Sequence, residues 1–155
     1  MSALQFVIMS EQKKTGSGNT ALIGKALLEE APEGLISAYL FGSLAEGREH
    51  RESDVDVGVL LRRNLHPAPE DRFRLRLRLS SSLTSVLGGR PADVVILNDA
   101  PPGLARRIVT EGRRILCSDE GEDHAFVRDV QLLAADLDPF LRRMRKVKLE
   151  AMGRP

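Results

Sequence analysis

The 155-residue chain has no tryptophan, one tyrosine, five phenylalanines and one cysteine. So few rings argue against the aromatic platforms on which single-stranded nucleic acid stacks. They also leave the core to Leu, Val, Ile and Ala. A single thiol, Cys117, excludes an internal disulfide, and its place in an apolar run marks it as a small core residue. No apolar run approaches the ~20 residues that span a bilayer. The apolar start, Met1–Ser10, carries neither a positive leader nor a small-residue cleavage site, so the chain reads as cytoplasmic. An excess of one charge is missing too. The 23 Lys and Arg against 22 Asp and Glu leave +1, which makes no global electrostatic case for DNA or a membrane surface.

What is present suits one compact domain with one core: 42% hydrophobic residues in a chain of ordinary domain length. Residues 11–20 are polar and glycine-rich and read as a flexible connector after a short N-terminal segment. Its Gly16-x-Gly18 is no phosphate loop, because no clear strand precedes it and no Gly-Lys-Ser/Thr completes it. The pattern that follows predicts a domain over 21–118 and a C-terminal helical segment over 119–155 that packs on the domain or on a partner.

Within the domain a helix is expected over Ala21–Glu30, stopped by Ala31-Pro32, and a buried strand over Leu35–Phe41. A short helix and a polar loop occupy 44–52, and a strand with alternating acids runs over Asp54–Leu61. The segment Glu70–Leu87 contains the alternation Phe73-Arg-Leu-Arg-Leu-Arg-Leu79. Leu75, Leu79, Leu83 and Val86 nevertheless keep helical spacing over a stretch too long for a strand, so it is read as a helix. The arginines at 72, 74, 76 and 78 then coat a solvated face. A strand over Ala92–Leu97, a proline-opened helix to Glu111 and a strand over Arg113–Cys117 complete the domain. Beyond Asp119, one helix face carries Phe126, Val130, Leu133 and Leu137. Asp138-Pro139 is expected to restart or kink the helix, and Phe140, Met144, Val147 and Ala151 continue the stripe. The basic run Arg142–Lys148 suits a helix C-terminus as well as it suits a partner.

Three features carry chemistry. Gly42-Ser43 after a strand offers backbone N–H donors where a side chain would block a phosphate. Asp54 and Asp56, two apart on a strand, point their carboxylates the same way. Such a pair is repulsive unless a cation lies between, which makes it a hard-oxygen site for Mg²⁺. Asp93, near the start of another strand, brings a third carboxylate. Three carboxylates and a phosphate cradle are what two-metal nucleotidyl transfer requires, one ion activating the attacking hydroxyl and one neutralising the leaving pyrophosphate.

The segment Phe41-Gly42-Ser43-x10-Asp54-x-Asp56 resembles the signature of the DNA polymerase β-like nucleotidyltransferase superfamily. The length and layout from about Ala21 to Cys117 look most like its minimal, MNT members. The resemblance implies an α/β (α+β) fold, a small mixed β-sheet flanked by helices with a C-terminal helix. It implies that Asp54 and Asp56 bind two Mg²⁺ ions, that Asp93 binds the catalytic ion and helps activate the acceptor, and that Gly42, Ser43 and Ser53 hold ATP. Relatives often carry an arginine where this chain has Glu46; Arg48 or Arg51 could stand in for it.

The family further implies transfer of AMP from ATP to a tyrosine of a HEPN-type RNase toxin, with this chain as the antitoxin. The chain has no obvious second substrate domain, which fits an acceptor that arrives as a folded partner. Two other readings stay open: transfer to a small molecule such as an aminoglycoside, and a non-catalytic antitoxin that acts by occlusion.

Overall fold

The computed structural model describes residues 18–31, 33–42 and 54–153. Helix α1 (Gly18–Glu30) starts three residues before the expected Ala21 and buries Ile23, Ala26 and Leu27. Strand β1 (Leu35–Phe41) and strand β2 (Val55–Leu61) follow, and β2 begins one residue later than expected. The short helix and loop expected over 44–52 lie outside the described residues.

Helix α2 (Pro69–Val86) resolves the ambiguous arginine-rich segment as a helix. The packing is helical: Leu75, Leu79 and Leu83 line one face and are buried, while Phe73 and Leu77, which a strand would have set on that same face, stand exposed. Strand β3 (Ala92–Ile96), helix α3 (Pro102–Glu111) and strand β4 (Arg113–Cys117) match the expected elements closely.

The four strands lie in the order β3-β2-β1-β4, with β1 antiparallel to both neighbours beside it and β2 parallel to β3. Mixed sheet and flanking helices are the expected α/β architecture. Both faces are covered, which is why the strands read as nearly continuous apolar runs. One face holds the larger core, where Leu35, Ala38 and Leu40 of β1 and Val55, Val57, Val59 and Leu61 of β2 meet α1 and α2. The opposite face holds Ile36, Tyr39 and Leu60 under Ile108 of α3, with Phe126 packed against them. In β1 the alternation slips near Ser37, where the pairing with β2 has a bulge-like register shift.

Helix α4 (Glu120–Met152) is one 33-residue helix. The restart or kink expected at Asp138-Pro139 is not a break: the helix continues through Pro139. Proline removes one N–H there, a loss that water can make good where the helix is exposed. Asp119 caps the start, accepting from the Glu122 N–H at 3.0 Å. A buried polar cluster ties this first turn to the sheet. Tyr39 Oη donates to Asp123 Oδ1 at 2.7 Å and Arg114 Nη1 donates to Asp123 Oδ2 at 2.8 Å. The start of the 119–155 segment is therefore built onto the domain. Cys117 is buried, as its apolar neighbours suggested, and burial pushes its thiol up and away from the reactive thiolate.

No helix among the described residues is long and apolar enough to cross a membrane.

Candidate functional site

The odd positions of β2 (Val55, Val57, Val59 and Leu61) enter the larger core, so its even positions face α3. Asp56 is therefore on that opposite face, as is Gly58, where an added Cβ would come within 2.7 Å of Ile108 Cγ2. The acid-Val-acid-Val-Gly pattern thus has two uses. The valines build the core, while Gly58 lets α3 approach the sheet immediately beyond the carboxylates.

In β3, Val94 and Ile96 point into the larger core, which leaves Asp93 on the Asp56 side. The parallel register pairs Asp56 directly with Asp93. Asp54 stands exposed just before β2. The three acids thus lie at the same end of two adjacent strands. Their proximity is felt electrostatically: the Asp56 carboxyl is raised above its ordinary value, first by burial, then by the charges of Asp93 and Asp54.

Gly42 ends β1 at φ +72°, a left-handed conformation that favours glycine. It also lies directly against the carboxylate: a Cβ there would stand 2.5 Å from Asp56 Oδ2. The glycine is required twice, by its backbone angle and by its neighbour. The structure thus brings Gly42, Asp54, Asp56 and Asp93 together. Ser43 and Ser53, with Glu46, Arg48 and Arg51, lie outside the described residues.

One residue at the site was misread from sequence. The arginines of α2 do not form a uniform solvated face. Arg74 and Arg78 are exposed, but Arg76 crosses the edge of the sheet. Its Nε donates to the Val94 carbonyl at 2.7 Å and its Nη2 donates to Asp93 Oδ1 at 3.2 Å. Among the described residues β3 is an edge strand, so the Val94 carbonyl meets no further strand there, and Arg76 supplies the donor. Arg72 is also not solvated. It is buried, forks onto Asp99 at 2.7 and 2.8 Å, and donates to the carbonyls of His66 and Pro67. The helical spacing relative to Leu75 and Leu79 could have shown that 72 and 76 share the flank of the apolar stripe. It could not have shown which carboxylates they meet.

The trio is an open set. Among the described residues, no three Asp, Glu, His or Cys side chains stand gathered as a ready-made metal cage. The donors are nonetheless of one chemical kind: carboxylate oxygens that repel one another at an accessible edge. A hard divalent cation relieves that repulsion, and the donor set fits one.

Residues 25–121 match the model of the family described as Polymerase beta, Nucleotidyltransferase. The chain is 31% identical over 114 residues to Protein adenylyltransferase MntA of Shewanella oneidensis, covering 74% of this chain and 76% of that one. It superposes on a solved toxin–antitoxin structure with AMP-PNP at a TM-score of 0.61 and 28% identity, covering 82% of this chain and 98% of the other. It is also similar to a chain in the complex of tri-AMPylated Shewanella oneidensis HEPN toxin with MNT antitoxin. There the TM-score is 0.57 and the identity 25%, over 82% of this chain and 96% of that one. With its carboxylates on adjacent strands beside Gly42, the chain belongs to the polymerase β nucleotidyltransferase family, as a minimal, MNT-type nucleotidyltransferase.

Proposed function

We propose that this protein transfers AMP from ATP to a tyrosine hydroxyl of a HEPN-type toxin and thereby acts as its antitoxin. The observation that carries the reading is the meeting of Asp56, Asp93 and Gly42 in a chain 31% identical to a protein adenylyltransferase. In the transfer, a bond forms between the acceptor oxygen and the α-phosphorus. The bond from that phosphorus to the oxygen bridging the β-phosphate breaks, pyrophosphate leaves, and the acceptor's hydroxyl proton is given up to the Asp93 carboxylate or to solvent.

Asp54 and Asp56 would hold two Mg²⁺ ions, and Asp93 would join them at the ion nearer the acceptor. When bound, those ions polarise the acceptor hydroxyl and offset the charge of the departing pyrophosphate. The chain's own residues orient the reaction. Gly42, with no side chain over Asp56, leaves room for a phosphate beside the carboxylates, and Ser43 and Ser53 are proposed to hold the triphosphate. Arg76 keeps Asp93 in place from the sheet edge. The domain over 21–118 carries this chemistry, preceded by the segment 1–20 and followed by the helical segment 119–155.

The direct test incubates purified protein with ATP, Mg²⁺ and the toxin encoded beside it, and reads the toxin's mass. Gain of whole AMP groups on a tyrosine supports the reading. Neutralisation that survives Asp54→Asn with Asp56→Asn and leaves the toxin unmodified rejects it in favour of occlusion.

A further inference from the structure

The strand that carries Asp93 is gripped from α2 at two points. The odd residues of β3 pair with β2, as Pro91 O does with Val55 N–H and Leu97 N–H with Val59 O. The backbone groups of Ala92 and Val94 therefore point away from β2. Arg76 donates to the Val94 carbonyl, and the Ala92 N–H donates to Thr84 Oγ1 at 3.2 Å.

The Thr84 hydroxyl is used in both directions. It accepts from Ala92 and donates to the Ser80 carbonyl, one turn back, at 2.8 Å. Its single proton is thereby committed to Ser80, which leaves a lone pair for Ala92. The β-branch restricts the rotamer, and the bond to the residue four back fixes it. The main chain of the same residue closes the turn, its carbonyl accepting from Gly89 N–H at 2.9 Å. Gly88 and Gly89, at φ +69° and +88°, turn the chain back so that Ala92 returns to Thr84.

The hydrogen bonds run on past Ala92. The peptide whose N–H reaches Thr84 is the one whose carbonyl, Pro91 O, accepts from Val55 N–H at 2.9 Å. That N–H belongs in turn to the peptide that follows Asp54. One line thus joins the Asp54–Val55 peptide, the Pro91–Ala92 peptide, the Thr84 hydroxyl and the Ser80 carbonyl. Each bond in such a line polarises the next. Asp54 flanks its first member, and Asp93 lies one residue beyond its second.

We propose that Thr84 is a positioning residue of the nucleotidyltransferase site. Through the Pro91–Ala92 peptide it sets where Asp93 stands relative to Asp54, and so how tightly the acids hold a divalent cation. This rests on the reading of Asp54, Asp56 and Asp93 as metal ligands. Thr84→Val keeps the shape of the side chain and removes the acceptor for Ala92 N–H, whereas Thr84→Ser keeps that acceptor.

The test is Mn²⁺ binding to the purified full chain by calorimetry, with the Asp54→Asn, Asp56→Asn double variant as the blank. It is run at a temperature where circular dichroism shows every variant folded. Thr84→Val should weaken binding about tenfold, and Thr84→Ser should return it to within about twofold of the wild type. Tyr39→Phe, which removes a hydrogen bond on the other face of the sheet, should leave it unchanged. In AMP transfer, the Mg²⁺ needed for half-activation should rise in Thr84→Val by the same factor. Equal Mn²⁺ affinity in Thr84→Val and the wild type overturns the proposal. So does a loss that Thr84→Ser fails to restore or that Tyr39→Phe reproduces, and so does a wild type that binds no Mn²⁺. Mn²⁺ binding needs no acceptor, so a toxin left unmodified rejects only the function proposed above, and the Thr84 comparison still decides this one.

Discussion

Arg76 Nη2 lies 3.2 Å from Asp93 Oδ1, and the same guanidinium donates from Nε to the carbonyl of the next residue, Val94. A helix on one face of the sheet thereby orients a carboxylate that belongs to the site on the other. Partners of this outer kind fix the angle at which a ligand presents its oxygens. Arg76→Ala is therefore expected to weaken Mg²⁺ activation by about 10- to 100-fold. A magnesium titration of AMP transfer checks it, with calorimetric Mg²⁺ binding as the second readout. An unchanged magnesium dependence would reduce Arg76 to an edge-strand cap.

Asp56 is half-buried between two other acids, and its carboxyl is raised first by burial and then by Asp93 and Asp54. An ionised group in that position costs stability whenever no cation is bound. Asp56→Asn should therefore stop AMP transfer, with a loss exceeding the ~100-fold typical of outer-shell changes. It should at the same time raise the melting temperature of the protein in chelator. Opposite signs for activity and stability separate a functional carboxylate from a structural one.

At Gly42 a side chain faces two costs. The left-handed backbone, at φ +72°, disfavours any Cβ by about 1–2 kcal/mol. That Cβ would also come within 2.5 Å of Asp56 Oδ2, so the carboxylate must move. Gly42→Ala is expected to lower the melting temperature by several degrees, since ~1 kcal/mol is roughly 2–4 °C in a chain of this size. It should also cut AMP transfer by more than the stability loss explains. Transfer rates measured well below the melting transition test this.

The lone tyrosine reports on the clamp that holds α4. Burial raises the Tyr39 phenol above its ordinary value of 10.0, and the hydrogen bond to Asp123 adds to the shift. The sign follows from proton binding. An unfolded chain loses the phenolic proton near pH ~10 while the folded one keeps it, so this stability is intact below that pH and lost as pH rises through it. Ultraviolet titration of the native protein should show no tyrosinate until the chain unfolds. Tyr39→Phe should lower stability by about 1–2 kcal/mol at neutral pH and flatten the alkaline decline.

Much of this protein was legible in the chain alone, wherever the deciding physics is local. Gly42 at the end of one strand and Asp54 and Asp56 at the start of the next could be placed from the local pattern, and the acid-Val alternation predicted both carboxylates on one side. Helical spacing of Leu75, Leu79 and Leu83 outweighed a misleading two-residue alternation because eighteen residues are too many for a strand. The apolar line of α4 was readable too, although Pro139 suggested a break that an exposed helix absorbs.

What no local pattern could supply was position across the fold. Asp93 meets Asp56 because β3 lies parallel to β2 in one register, and a slip of one residue would have turned it to the other face. Arg72 and Arg76 look like any solvated arginines until α2 is laid beside β3 and the loop bearing Asp99. Residue types and periods therefore determined which chemistry this chain carries. Only the tertiary packing decided which charges face each other, because long-range pairing depends on strand order and helix placement rather than on neighbours in sequence.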